Sequence, residues 1–255
     1  MKNFNISTTY NKISAEYHEN RLELRSGNNA LQSVIDLDRP SRLVMKNLCY
    51  LIAVLLFIPP PRRILMLGTA AGSLLHFLRQ HYPKCEITAL DIDLEMIEEF
   101  KSRGLLPAAD ARLSYVFDDA SHYIEHCQQR YDLILVDIFD GNQSPDWLLQ
   151  KPVNHRLNQL LEDQGAIACN LLIESEHLFN RYYRDIRLIY KQQTLCVAVE
   201  GLENTIVYGL KQKPEGQDMN SYMELALQRS QAEEIDYMEI LAAIYTTNPQ
   251  GSGVI

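Results

Sequence analysis

The sequence predicts an α/β protein built on an open, mainly parallel seven-stranded sheet, with a small β-hairpin region before it and a helical extension after it. Three observations lead there. From Arg63 to Lys211, short apolar runs alternate with stretches whose apolar residues recur at helical spacing, as in strands joined by crossover helices. Four successive apolar runs end in Gly or Asp: Gly68, then Asp91 and Asp93, then Asp118 and Asp119, then Asp137 and Asp140. The last two runs are separated only by Glu200-Gly201-Leu202-Glu203, too short for a helix, so the sheet closes with an antiparallel hairpin.

Residues 1–20 are polar with scattered aromatics (Phe4, Tyr10, Tyr17) and read either as a tail or as a strand-forming arm. Leu22–Arg25 and Leu31–Leu37 are β-like runs, and Ser26-Gly27-Asn28-Asn29 between them has turn chemistry, which predicts a hairpin. Pro40 and Ser41 start a helix to about Phe57, which Pro59-Pro60-Pro61 stops. The central unit follows. Ile64–Leu67 is a buried strand, Gly68-Thr69-Ala70-Ala71-Gly72 a small-residue turn, and Ser73–His81 a helix with Ser73 as its N-cap. Gly68 and Gly72 let the backbone turn sharply and approach a ligand, and the free N–H groups of the helix start attract an anion.

The later strands are Glu86–Ile92, Leu113–Phe117, Tyr131–Val136, Gly165–Leu172, Gln193–Val199 and Asn204–Leu210. The later helices are Leu94–Arg103, Ala120–Gln129, Asp146–Glu162 and Glu176–Ile186. Seven strands ending in a hairpin give a class I methyltransferase-like, Rossmann-like layout, whereas a dinucleotide fold more often repeats its βαβ half. Residues 212–219 are a polar connector, Tyr222–Tyr245 an amphipathic helical stretch and Thr246–Ile255 a frayed tail. The organisation is therefore 1–58 (arm, hairpin and helix), 59–211 (nucleoside-binding domain) and 212–255 (helical extension).

Composition narrows the function. The chain has 255 residues, 46% of them hydrophobic and 22% charged, enough for a sizeable core. Its net charge of −9 argues against a nucleic-acid backbone as partner and is compatible with a cationic substrate or simply with solubility. The five cysteines are scattered without a Cys-x-x-Cys pair, and the seven histidines show no ligand spacing, so reduced thiols, a cytoplasmic setting and no metal are expected. The start, Met1-Lys2-Asn3-Phe4-Asn5, has no apolar signal region, and Leu48–Ile58, the most apolar stretch, is far short of the ~20 residues of a membrane span.

In an open parallel sheet, ligands bind outside the carboxyl ends of the strands. An acid at the end of the second strand is where nucleoside-binding α/β folds hold ribose hydroxyls, so Asp91 reads as a ribose ligand or as the cap of the following helix. Asp119 reads as an N-cap, a role that coexists with ligand binding, and Asp118 as solvent-facing. Asp137 and Asp140 face a substrate or structure the loop after the fourth strand. Trp147 lines an acceptor pocket or packs a helix start.

Five stretches together resemble the spermidine synthase family, most closely its spermidine-synthase-like bacterial branch: Leu-Gln-Ser-Val-Ile-Asp-Leu-Asp-Arg-Pro (31–40), Leu-Gly-Thr-Ala-Ala-Gly (67–72), Leu-Asp-Ile-Asp (90–93), Asp-Asp-Ala (118–120) and Val-Asp-Ile-Phe-Asp-Gly (136–141). The resemblance covers roughly residues 20–211. It implies a small N-terminal β domain on a class I methyltransferase-like domain, a homodimer, and transfer of an aminopropyl group from decarboxylated S-adenosylmethionine to a polyamine. On this basis Gly68, Thr69, Ala71, Gly72, Asp91 and Ile92 belong to the nucleoside site, and Asp119 and Ala120 lie beside adenine. Asp137 helps deprotonate the attacking amine and Asp140 holds the substrate.

The departures bear on the donor. The family's Gly-Gly-Gly-Asp-Gly loop has Ala71 here in place of the acid that binds the donor's ammonium. Met45-Lys46-Asn47 stands for its Tyr-His/Gln-Glu run, and Gly141 for a proline. Without that acid the carboxylate of ordinary S-adenosylmethionine is no longer repelled. The expectation is thus a transferase using either donor on a small cationic or amine substrate, with methyl transfer as one alternative and a non-catalytic nucleoside-binding protein as another.

Overall fold

The computed structural model describes residues 2–27, 29–216, 218–248 and 253–255. The N-terminal segment forms strands throughout: β1 (Phe4–Ser7), β2 (Lys12–His18), β3 (Arg21–Ser26) and β4 (Leu31–Asp36) make an antiparallel four-stranded meander. The expected hairpin is its second half, and residue 28 of the expected turn lies outside the described residues. Alternate residues of β2 and β3 (Ile13, Ala15, Leu22, Leu24) are buried, the period-two pattern of a sheet with one face covered.

The helix expected from Pro40 begins later, as α1 (Lys46–Ile52), and tightens into a 3₁₀ turn over Ala53–Leu56. The cause is Asp36. Its Oδ1 accepts the N–H groups of Asp38 (3.1 Å) and Arg39 (3.0 Å), which folds the chain back so that Leu43 bridges Ile35.

The main sheet comprises β5 (Arg63–Leu67), β6 (Glu86–Asp91), β7 (Leu113–Phe117), β8 (Tyr131–Val136), β9 (Leu161–Leu171), β10 (Thr194–Ala198) and β11 (Thr205–Leu210), in spatial order β10-β11-β9-β8-β5-β6-β7. β5 to β9 are parallel, and β11 lies antiparallel between β9 and β10. α2 (Ser73–His81), α3 (Leu94–Ser102), α4 (Ala120–His126), α5 (Lys151–Gln159) and α6 (Glu176–Ile189) are the crossovers. Because side chains alternate along a strand, Ile64, Met66, Leu133 and Leu135 join the core under α2 and α3, while Leu65, Leu67, Ile134 and Val136 join a second core with Tyr182 and Ile186 of α6.

Two further elements differ from expectation for identifiable reasons. α5 starts at Lys151, not Asp146, since Pro152 has no N–H to give the carbonyl of Leu148, which accepts Asn154 Nδ2 at 2.7 Å instead. The final helical stretch is two helices, α7 (Met219–Glu233) and α8 (Tyr237–Thr247), broken where Glu234 takes φ +56° and Asp236 caps α8. Of the tail expected to fray, residues 249–252 lie outside the described residues, and Val254 is buried. Among the described residues no helix is long and apolar enough to cross a membrane.

Gly68 brings β5 against the backbone that follows β8. It has φ +88°, and a Cβ there would meet the Asp137 carbonyl oxygen at 2.3 Å. Gly68→Ala is expected to lose more than about 2 kcal/mol of stability in chemical denaturation, from left-handed strain together with overpacking; a variant as stable as the parent would mean that the β5–β8 approach is loose.

Candidate functional site

The register of the sheet assembles the site. Leu67 pairs with Leu90 on β6 and with Val136 on β8, and Val136 pairs with Cys169 on β9. The next residue on each strand is Gly68, Asp91, Asp137 or Asn170, so these four form one row at the carboxyl edge. Backbone bonds extend the ladder into the row: Gly68 N–H donates to Leu90 C=O and Asp137 N–H to Leu67 C=O, both at 2.9 Å.

Asp91 is half-buried. Its Oδ2 accepts Thr69 N–H at 2.9 Å and its Oδ1 accepts Asp93 N–H at 3.0 Å. Burial raises its pKa against the pull of these N–H groups. It does not cap α3. That role belongs to Asp93, which accepts Met96 N–H at 3.0 Å and also takes Thr8 Oγ1 (2.5 Å) and Asn11 Nδ2 (2.6 Å) from the β1–β2 turn. Asp91 therefore keeps acceptor capacity at an open edge. Ile92, between the two acids, is 40% exposed and offers an apolar surface there.

Asp119 is the N-cap of α4 and accepts Ser121 N–H at 2.7 Å and Ser121 Oγ at 2.5 Å; the Ser121 hydroxyl bond is the main reason its pKa falls. Ala120 behind it is buried, and Asp118 is half-buried and pairs with His122 at 2.8 Å rather than standing free.

The glycine turn departs from expectation in two respects. Ser73 is the first residue of α2, not its cap. The cap position is Gly72 at φ +81°, and Ser73 Oγ donates instead to Val34 C=O of β4 at 3.1 Å, tying the N-terminal sheet to the turn. Ala71 has no exposed surface and belongs to the core, so its methyl group does not face the open edge. Thr69 is 3% exposed and contributes its N–H to Asp91. The first turn of α2 has neither an acidic residue nor a side-chain cap, so its N–H groups are not neutralised by side chains.

Asp137 ends β8, half-buried, with its Oδ1 accepting Asn170 Nδ2 at 2.8 Å. Burial raises its pKa, and the Asn170 bond offsets only part of this. Asp140 is exposed and pairs through its backbone with Gln143, so the loop separates the two acids by environment. Trp147 is half-buried against the core under α6. A cavity of about 240 Å³ opens past the end of β9, lined by Leu171, Ile173, Glu174, Glu176, Phe179 and Thr205.

Asn170 and Asn204, whose Nδ2 donates to Asn170 Oδ1 at 2.8 Å, escaped sequence reasoning. The signal was a lone Asn in the apolar run Ala166–Leu172, because a buried amide must be bonded to something. Among the described residues no group of three or more His, Cys, Asp or Glu side chains converges as for a metal ion.

A sheet in this order, with a glycine turn after its first strand and acids after the next three, defines a class I methyltransferase-like transferase. The chain belongs to the spermine/spermidine synthase family: the Spermine/spermidine synthase domain model matches residues 51–214, more than half of its length. A polyamine aminopropyltransferase of Neisseria meningitidis is 26% identical over 227 residues, covering 89% of this chain and 86% of that one. A probable spermidine synthase from Corynebacterium glutamicum has the same fold, with a TM-score of 0.77 at 15% identity, covering 99% of this chain and 95% of that one. Human methyltransferase-like protein 13, solved with SAH, is also similar, with a TM-score of 0.59 at 22% identity over 76% of this chain and 89% of that one. The protein is a spermidine-synthase-like transferase.

The environment of Asp137 predicts a stability signature. Its folded pKa is raised, so it costs nothing below the unfolded value, where both states are protonated, and the fold loses stability as pH rises through the folded value. Asp137→Asn should therefore match the parent at about pH 3, below the unfolded value, and exceed it at pH 7, by about 1.4 kcal/mol for each unit of elevation. Denaturant melts at both pH values check this; an equal loss of stability at both would show that the site is not built at a cost to the fold.

Proposed function

We propose that this enzyme transfers the aminopropyl group of decarboxylated S-adenosylmethionine to the nitrogen of a small cationic amine. The observation that carries the reading is Asp137, a half-buried carboxylate with a raised pKa, one strand from the glycine turn and held by the Asn170 amide. The name of the Neisseria relative supports the same reaction.

In this reading the acceptor nitrogen attacks the carbon bonded to the sulfonium. The N–C bond forms, the C–S bond breaks with its electron pair passing to sulfur, and methylthioadenosine leaves. The sulfonium needs no activation, so the protein mainly aligns donor and acceptor. An amine that arrives as ammonium must lose a proton, which passes to Asp137. The raised pKa suits this task, because a carboxylate of higher basicity is the better acceptor. Asp91 would accept the ribose hydroxyls, Ile92 would lie against the base, and Asp119 with Ala120 would sit beside it. Asp140 and the carboxylates of Glu174 and Glu176 would favour a cation over an anion on the acceptor side. The enzyme would work as a homodimer in the cytoplasm, without metal, nucleic acid or membrane.

A second reading, methyl transfer from S-adenosylmethionine, draws on Ala71 and the uncapped start of α2, which leave N–H groups for a carboxylate and supply no acid for an ammonium. Incubation of each donor with a panel of diamines, followed by mass spectrometry, separates the two. The expected products are an aminopropylated amine and methylthioadenosine, with Asp137→Asn slower by about 10²–10⁴-fold. Methylated amine from S-adenosylmethionine would establish the second reading, and no turnover or calorimetric binding of either donor would sink both.

A further inference from the structure

The Asp137 carboxylate is held from the neighbouring strand. One oxygen is taken by Asn170 Nδ2 at 2.8 Å, and Asn170 Oδ1 in turn accepts Asn204 Nδ2 at 2.8 Å. Asn170 has no exposed surface, so its amide has no water to turn towards. The sheet explains the alignment. Asn170 follows Cys169, the partner of Val136, and on its other side it faces Ile206 of β11, two residues after Asn204. The backbone of Asn204 is fixed separately, since its C=O accepts Val199 N–H at 2.9 Å and closes the β10–β11 turn.

The chain has a direction. An ionised carboxylate only accepts hydrogen bonds, so Asn170 must present its NH₂ group to Asp137 and its carbonyl oxygen to the far side. Asn204 donates to that oxygen and so rewards this orientation of the Asn170 amide over the flipped one. A flipped amide would set a carbonyl oxygen against Asp137, which only a protonated carboxyl tolerates. Oδ1 of Asp137 is thereby occupied, and Oδ2 is left for the open edge.

We propose that Asn204 and Asn170 are positioning residues that act in series on Asp137, holding Oδ1 so that Oδ2 faces the acceptor nitrogen and keeping the carboxylate ready to take its proton. The proposal rests on the role given to Asp137 above for its catalytic half; the relay itself stands on the ligand-free geometry. Burial and the Asn170 bond are what move the Asp137 carboxyl, with no cation against it. The β5 side contributes the backbone of Leu67 and Gly68, β9 contributes Asn170, and Asp140 in the same loop is exposed.

The test uses Asn204→Ala and Asn204→Asp, each alone and combined with Asn170→Leu, in the full chain. An aspartate at 204 cannot donate when ionised, so the Asn170 amide should flip to donate to it and turn its oxygen on Asp137. The readouts are the Asp137 titration midpoint in the ligand-free protein, by carbon NMR of the carboxyl, and the acid limb of kcat/KM. Asn204→Asp should move both to higher pH by about one unit, and Asn204→Ala by less, in the same direction. With Asn170→Leu present, the Asn204 substitutions should add nothing, since the relay is already cut. An unchanged midpoint in the single Asn204 variants would overturn the proposal. So would shifts of equal size with and without Asn170→Leu, because these would be a through-space effect of charge. If the double variants fail to fold, the single variants decide. A midpoint that moves while the acid limb stays put would uphold the relay and instead count against Asp137 as the proton acceptor.

Discussion

The site depends on one constraint, the parallel register that brings Gly68, Asp91, Asp137 and Asn170 into a single row. Adjacent strands lie about 4.8 Å apart, so a row of four places its chemistry within reach of one nucleoside-sized ligand. Gly68 makes the row possible at its centre. The carbonyl of Asp137 comes so near that no side chain fits between β5 and β8. A one-residue slip of β8 would send the Asp137 side chain to the opposite face of the sheet and replace it with an apolar neighbour, Val136 or Ile138.

Burial then separates the acids by environment. Asp91 and Asp137 lie where desolvation raises their pKa, and Asp119, bonded to the Ser121 hydroxyl at a helix start, is lowered. The carboxyl edge is fastened to the N-terminal sheet at two points, the end of the glycine turn by Ser73 to Val34 and the start of α3 by the Thr8 and Asn11 side chains to Asp93. The small N-terminal sheet is therefore coupled to the carboxyl edge of the main sheet through side chains of its own, and a shift of that sheet would be felt at Asp93 and Asp91 together.

Most of the sheet was legible in the sequence because its strands are apolar runs ended by Gly or Asp, a pattern that needs no partner to be read. The errors fell where a single side chain redirects the backbone. Asp36 delayed α1, Pro152 shortened α5, and Asp236 divided the C-terminal stretch. Within the site, residue identity placed the carboxylates but not their neighbours. The family's acid at the position of Ala71 implies a side chain facing the donor, whereas the Ala71 methyl lies in the core. Asn170 shows in the sequence only as a polar residue in an apolar run, and its link to Asn204, 34 residues on, forms only through the β9–β11 pairing.

In the proposed reading, the strand-end row holds a nucleoside donor with its reactive carbon towards Asp137. A crystal structure with methylthioadenosine, the product that retains both nucleoside and sulfur, tests it most directly. Ribose hydroxyls are expected on Asp91, the base against Ile92 and beside Asp119 and Ala120, and the sulfur on the Asp137 side of the row. A nucleoside bound away from Asp91, or one whose sulfur points away from Asp137, would contradict it.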